Sequence, residues 1–239
     1  MKVIKNRAQL YVGERPAIFY KYYRLKQEFA SKTEVRGRRM VQPTTQLVIE
    51  GFPRSANTFA VWAFRQAQPE DVQVAHHFHY PAQVVRAAQW QIPTLVLIRE
   101  PKEAVTSLIM RDPQASLEQA LRHYVSFYQT VAQYRDACVL GTFEEVIEDY
   151  GAVIERVNSR FGTHFAKFNH TKENVRQVFS RIEERHRSRN EGTIVETRIA
   201  RPSSAKQEMR RKVKRELDAP RRRKALTGAT AVYEDLTNS

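Results

Sequence analysis

The sequence predicts an α/β protein with a mainly parallel central sheet flanked by helices, and three observations predict it. Leu47-Val48-Ile49 and Ile92-Pro93-Thr94-Leu95-Val96-Leu97-Ile98 are apolar runs of the kind buried on both faces of a parallel sheet. Each is followed by a polar turn and then by a stretch whose apolar residues fall at helical spacing. With 239 residues and 41% hydrophobic content, the chain can bury one substantial core. A single domain over 1–239 is therefore expected: a basic, aromatic N-terminal segment over 1–44, an α/β core over 45–180, and a basic helical segment over 181–239. Disorder is one reading of its end.

Charge narrows the partners. The chain carries 40 Lys and Arg against 26 Asp and Glu, a formal charge of +14, which favours a nucleic acid, an anionic lipid, a phosphorylated cofactor or an acidic glycan. The single cysteine, Cys138, has no partner for an internal disulfide and stands in the apolar run Ala137-Cys138-Val139-Leu140, so it reads as a buried reduced thiol. No apolar stretch reaches membrane-spanning length and none is long near the N-terminus, so a cytoplasmic protein is expected.

Taken in order, residues 1–44 interleave Lys and Arg with Phe19, Tyr20, Tyr22, Tyr23 and Phe29 and end in the basic run Arg36-Gly37-Arg38-Arg39. That mixture fits a nucleic-acid surface or an amphipathic helix packing its aromatics on the core, and the second is preferred because no RNA- or DNA-binding motif accompanies it. Pro43 leads into the first strand. After Leu47-Val48-Ile49 come Gly51, Pro53 and a polar turn, and then Phe59, Val61, Trp62 and Phe64 at helical spacing. A strand, turn and helix in that order leave unpaired N–H groups at the positive end of the helix dipole, where an anion binds. Arg54, Ser55 and Thr58 add a charge and two hydroxyls. The turn lacks the G-x-x-x-x-G-K-[ST] pattern of nucleoside triphosphatases. Val72 to Ala75 offers a second strand, running into His76-His77-Phe78-His79-Tyr80-Pro81. No Cys or carboxylate stands beside these histidines to complete a tetrahedral metal set, so no metal is expected. His79 reads either as a structural histidine or as a general base at the carboxyl end of a strand. A short helix is expected over Ala82 to Gln89, and the strand Ile92 to Ile98 ends in Arg99-Glu100-Pro101, where Pro101 opens a helix holding Ser107.

Two of these segments resemble the sulfotransferases that use 3′-phosphoadenosine 5′-phosphosulfate (PAPS). Gly51 to Phe59 is similar to their 5′-phosphosulfate loop, and Arg99 to Ser107 to their 3′-phosphate motif, an Arg followed by x-Pro and a Ser eight residues on. His79-Tyr80-Pro81 between them looks like their catalytic His-x-Pro. The resemblance covers Gln46 to Ser107 and implies a P-loop-like sulfotransferase architecture. It further implies that Arg54, Ser55, Ala56, Asn57 and Thr58 hold the 5′-phosphosulfate, that Phe59 stacks on adenine in place of the usual Trp, and that Arg99 and Ser107 select the 3′-phosphate. Phe143 stands where the family has an aromatic that can contact adenine. His79 and Arg54 are the implied catalytic residues: His79 takes a proton from a hydroxyl or amine acceptor, and Arg54 stabilises the oxygen from which 3′-phosphoadenosine 5′-phosphate (PAP) departs. The turn and Arg99 are expected to face each other across a gap wide enough for PAP.

Leu117, Leu121, Tyr124, Val125, Tyr128 and Val131 predict a long amphipathic helix within Pro113 to Tyr134, Ala137 to Phe143 another strand, and Val153 to Phe161 a helix ending at Gly162. Beyond Phe168 basic residues dominate; Ala205 to Leu217 reads as a charge-rich helix, and Arg221-Arg222-Arg223-Lys224 as a solvated or disordered run. The family's C-terminal Arg-Lys-Gly closure is missing, with Arg198, Arg201 and Arg210-Arg211-Lys212 as its candidate replacements. The expected partner is a small-molecule or glycan acceptor, acidic in keeping with the charge, with no specific nucleic acid and no membrane span. A kinase-like P-loop enzyme and a non-catalytic nucleic-acid-binding protein are the alternatives.

Overall fold

Four parallel strands form the centre of the computed structural model, which describes residues 7–28, 39–189 and 204–238. They are β1 (Leu47–Gly51), β2 (Val74–His76), β3 (Thr94–Ile98) and β4 (Val139–Thr142), in the order β2-β1-β3-β4. Parallel neighbours need crossover connections, and helices supply them. They are α3 (Asn57–Ala67) and α4 (Pro81–Gln89), then α5 (Pro101–Arg111) and α6 (Leu117–Ala132). Two N-terminal helices, α1 (Arg7–Glu14) and α2 (Pro16–Glu28), precede the sheet. Five follow it: α7 (Phe143–Glu148), α8 (Tyr150–Phe161), α9 (Lys172–Arg189), α10 (Ser204–Asp218) and α11 (Pro220–Thr237).

Local chemistry sets most boundaries. Glu100 caps α5 by accepting from the N–H groups of Lys102 (3.0 Å) and Glu103 (2.7 Å), with Pro101 at the first helical position. Ser116 caps α6, so that helix starts at Leu117 and Pro113 stays in the turn before it. Thr142 and Glu145 form a capping box, which ends the predicted strand early and makes Phe143 the first residue of α7. The second strand is also displaced, running over Val74–His76. Gly162 closes α8 with φ of 65°, as expected of a helix-ending glycine.

Both faces of the sheet are covered, as a parallel sheet requires. Leu47, Ile49, Leu95 and Leu97 pack toward α3, α8 and α9. Val96 and Ile98 pack with α5 and α6 into a second cluster, to which the C-terminal helices contribute Val213, Leu217, Ala229 and Leu236. Arg221-Arg222-Arg223-Lys224 forms the opening turns of α11, so the reading of that run as disordered does not hold. At the other end Phe19 is fully buried against Tyr23, Phe78 and Tyr80, as the amphipathic-helix reading expects. Phe29, Arg36, Gly37, Arg38, Arg198 and Arg201 lie outside the described residues. Cys138 is buried, and burial pushes its thiol up to about 11. Among the described residues, no helix is long and apolar enough to cross a membrane.

Candidate active site

β1 and β3 are adjacent and parallel, with Gly51 opposite Leu97, so the turns that leave them open side by side at one edge of the sheet. Gly51 is required there, because a Cβ would stand 2.2 Å from the Leu97 carbonyl oxygen. Beyond it Phe52 is buried and its N–H donates to the Tyr128 hydroxyl (3.2 Å), which itself donates to Leu97 O (2.6 Å). Asn57 donates its side-chain amide to Phe52 O (2.9 Å), tying the end of the loop to its start. The loop between them takes two left-handed residues, Arg54 (φ 75°) and Ala56 (φ 63°), neither of them glycine. Ala56 is the N-cap of α3 and offers no side-chain acceptor. The first N–H groups of α3 therefore converge, without a side-chain cap, on the spot the loop encloses.

Two guanidinium groups meet beside this helix end. Arg54 donates from Nε to Ser107 Oγ (2.9 Å), and Arg99 donates from Nη1 to the Arg54 carbonyl (3.2 Å). Burial, then the positive charges of Arg111 and Arg99, lowers Arg54 to about 10, so it stays charged at neutral pH. Burial also lowers Arg99, against the pull of Glu103 and Glu144. Arg99 is steadied from two sides: its carbonyl accepts from the Tyr124 hydroxyl (2.7 Å), and its guanidinium lies 3.7 Å from the centroid of the Phe143 ring. Its Nε is buried without a hydrogen-bond partner. Among the described residues neither Arg54 nor Arg99 forms an ion pair with a carboxylate. The two positive charges repel one another, and the pull of Glu103 and Glu144 on Arg99 offsets part of that repulsion.

On the other side of β1, Glu50 is fully buried and accepts from the N–H groups of Phe78 (2.8 Å) and His79 (3.0 Å). This holds the turn after β2, where His77 and His79 both have positive φ (63° and 55°). His79 Nδ1 lies 2.7 Å from Gly51 O and 3.9 Å from Glu50 Oε2. Facing a carbonyl, Nδ1 must carry a proton, so Nε2 is the nitrogen at which the ring can exchange one. Its neighbour His77 meets Thr58 Oγ1 through Nε2 (3.1 Å) and His76 Nδ1 through Nδ1 (2.6 Å). Burial, reinforced by Arg39, Arg65 and Arg185, holds His76 down at about 2, and burial holds His77 well below the usual range.

Arg54, Ser55, Ala56, Thr58, Arg99 and Ser107 thus share one edge of the sheet with His79, which reaches them through Gly51. Two expectations are corrected. Phe59 leaves 6% of its surface exposed and sits among Tyr150, Phe168, His170 and Phe179, so its ring offers no face for adenine. It belongs to the core because it lies on the side of α3 that α9 covers. Phe143 has one face occupied by Arg99. Arg99 Nη1 reaches the Arg54 carbonyl and the Arg54 guanidinium turns to Ser107 Oγ, so both side chains rest on neutral oxygens at the tips of β1 and β3. Arg210, a candidate for closing over the site, is engaged with Glu103, as is Lys214.

Glu50, His77, Tyr124 and Tyr128 complete the arrangement and are not singled out by motif. Glu50 carries a signal nonetheless: it is the lone carboxylate in the buried run Leu47–Gly51, and such a group needs a partner. Among the described residues no group of three or more His, Cys, Asp or Glu is placed to hold a metal ion.

No protein-family model and no curated protein sequence matches the chain. Among solved structures it is similar to the crystal structure of mouse sulfotransferase SULT7A1 complexed with PAP, at 12% identity and a TM-score of 0.49, over 87% of this chain and 90% of that one. A likeness of that degree assigns no residue and no activity.

Proposed function

We propose that the protein transfers a sulfuryl group from PAPS to a hydroxyl or amine acceptor. The observation that carries this reading is the hydrogen bond from Arg54 to Ser107, with Arg99 on the Arg54 carbonyl. It joins two segments that resemble the two phosphate-binding motifs of one enzyme family, at the tips of neighbouring strands and far apart in sequence. The residues present fit the phosphate groups of such a donor: the α3 N-terminus lacks a side-chain cap, the two guanidinium groups lack a carboxylate, and Arg99 Nε lacks any partner. Phe59 does not fit its adenine as expected, because it is enclosed, and Phe143 has one face taken by Arg99.

Bound there, PAPS supplies the sulfuryl group and leaves as PAP. The amides of Ala56, Asn57 and Thr58 hold the 5′ end through the α3 N-terminus, the Ser55 N–H being taken by Phe52 O (3.3 Å), and Arg54 places positive charge where the departing oxygen becomes negative. Arg99 and Ser107 hold the 3′-phosphate. His79 Nε2 takes the acceptor proton, and the Nδ1 contact with Gly51 keeps the ring in the tautomer this needs. The protein's contribution is position and positive potential, by analogy with phosphoryl transfer.

Titration calorimetry with PAP, and separately with ATP and magnesium, provides the test, followed by labelled PAPS against panels of glycans, phenols, lipids and peptides. Binding of PAP alone, with label reaching one acceptor class, is the expected result. Binding of ATP with magnesium in preference to PAP would point to a kinase-like enzyme and remove the reading.

A further inference from the structure

Of seven large hydrophobic side chains exposed among the described residues, five lie on α1, α2 and the end of α4. Tyr11 (54% exposed) lies on α1, and Ile18 (41%), Tyr22 (46%) and Leu25 (48%) lie on α2 at spacings of four and three, which is one helical stripe. A fifth, Trp90, is 42% exposed at the end of α4 and is joined to α2 by Arg86, whose guanidinium lies 4.3 Å from the Tyr20 ring centroid and 5.0 Å from that of Trp90. The side of α2 away from the stripe is anchored by Phe19, Tyr20 and Tyr23, so the stripe is presented by a helix fixed to the core. Arg15 and Lys21 are exposed beside the stripe, on a chain whose formal charge is +14.

We propose that this face, formed by α1, α2 and the end of α4, docks on an anionic membrane surface. Tyr and Trp with aliphatic side chains, flanked by Lys and Arg, make up a helix face that settles at the boundary between headgroups and acyl chains. Negative headgroups supply the matching charge. A second copy of the chain would bring two molecules of charge +14 together and is disfavoured. Nucleic acid would use the aromatics as stacking platforms but gains little from Ile18 and Leu25, which have no ring to stack. The inference does not rest on sulfuryl transfer, although the inner face of α2 packs on Phe78 and Tyr80, either side of His79.

Co-sedimentation of the full chain with vesicles tests it, comparing equal parts of phosphatidylcholine and phosphatidylserine with phosphatidylcholine alone. The protein should sediment with the mixed vesicles, weakly or not at all with the neutral ones, and less as salt is raised. Combining Ile18→Asp with Leu25→Asp should lower the partition by more than about tenfold while leaving the far-ultraviolet spectrum unchanged, since both positions are exposed. Absence of binding by the unaltered protein, or full binding by the double variant, overturns the proposal. So does binding to duplex DNA that the same variant abolishes, which reassigns the face to nucleic acid.

Discussion

Arg99 shows how one side chain can be both anchored and unsatisfied. Tyr124 fixes its carbonyl, the Phe143 ring supports its guanidinium, and its Nη1 reaches Arg54 O, yet Nε has no partner and no carboxylate pairs with it. A phosphate there would gain a charged, preorganised donor. On the proposed function, Arg99→Ala should weaken PAP binding by about 1.5 to 3 kcal/mol, the range for hydrogen bonds to charged groups, as read by calorimetry. An unaltered dissociation constant would take Arg99 out of the site. His79 is expected to behave in the opposite way, because its role concerns the acceptor proton alone. His79→Ala should lower turnover by about a hundredfold or more with PAP affinity nearly unchanged. Turnover that survives would place the base elsewhere.

At the scale of elements, the turn from His76 to Tyr80 carries two histidines kept uncharged by burial, and this gives it a pH dependence. His76 is held at about 2 and His77 well below its ordinary value, both chiefly by burial, whereas the unfolded chain protonates both near pH 6.5. Below that pH the unfolded state binds more protons than the native one, so stability falls as pH falls and is unaffected above it. Each histidine that stays uncharged in the native state adds to that fall. Urea midpoints measured across that range should show the loss, and His76→Gln should reduce the slope. An unchanged slope would mean that His76 is not buried neutral. These elements differ in how far the sequence discloses them. The β1-turn-α3 unit is legible because apolar run, glycine, proline and helical spacing follow one another within Leu47 to Phe64, and β3 with Arg99 is legible for the same reason. Phe59 is not, because helical spacing says that it faces inward or outward but not that α9 will cross over it. Glu50 and the direction of Arg54 depend on contacts with residues far along the chain, Phe78 and Ser107, which no local pattern encodes.

For the whole molecule the open matter is whether the basic C-terminal helices belong to the same cooperative unit as the site. Their charge suggests an appendage, but the buried side chains suggest one domain. Val213, Leu217, Ala229 and Leu236 enter the cluster that also holds Ile98, Tyr124 and Tyr128, the residues beneath Arg99. Ionic contacts run the same way: Lys102 pairs with Asp218 (2.6 Å), and Glu103 with Arg210 and Lys214. Such partly exposed pairs contribute little each, so the apolar contacts should dominate. Leu217 is fully buried, and Leu217→Ala should cost about 2 to 5 kcal/mol, the usual range for a core leucine. The test lies in which probe reports the loss, because Trp62 on α3 and Trp90 beside α4 lie outside the C-terminal helices. If one domain is correct, the guanidinium midpoint falls equally by tryptophan fluorescence and by far-ultraviolet dichroism. A shifted dichroism transition with unmoved fluorescence would show α10 and α11 unfolding by themselves, and the α/β core with its anion site standing without them.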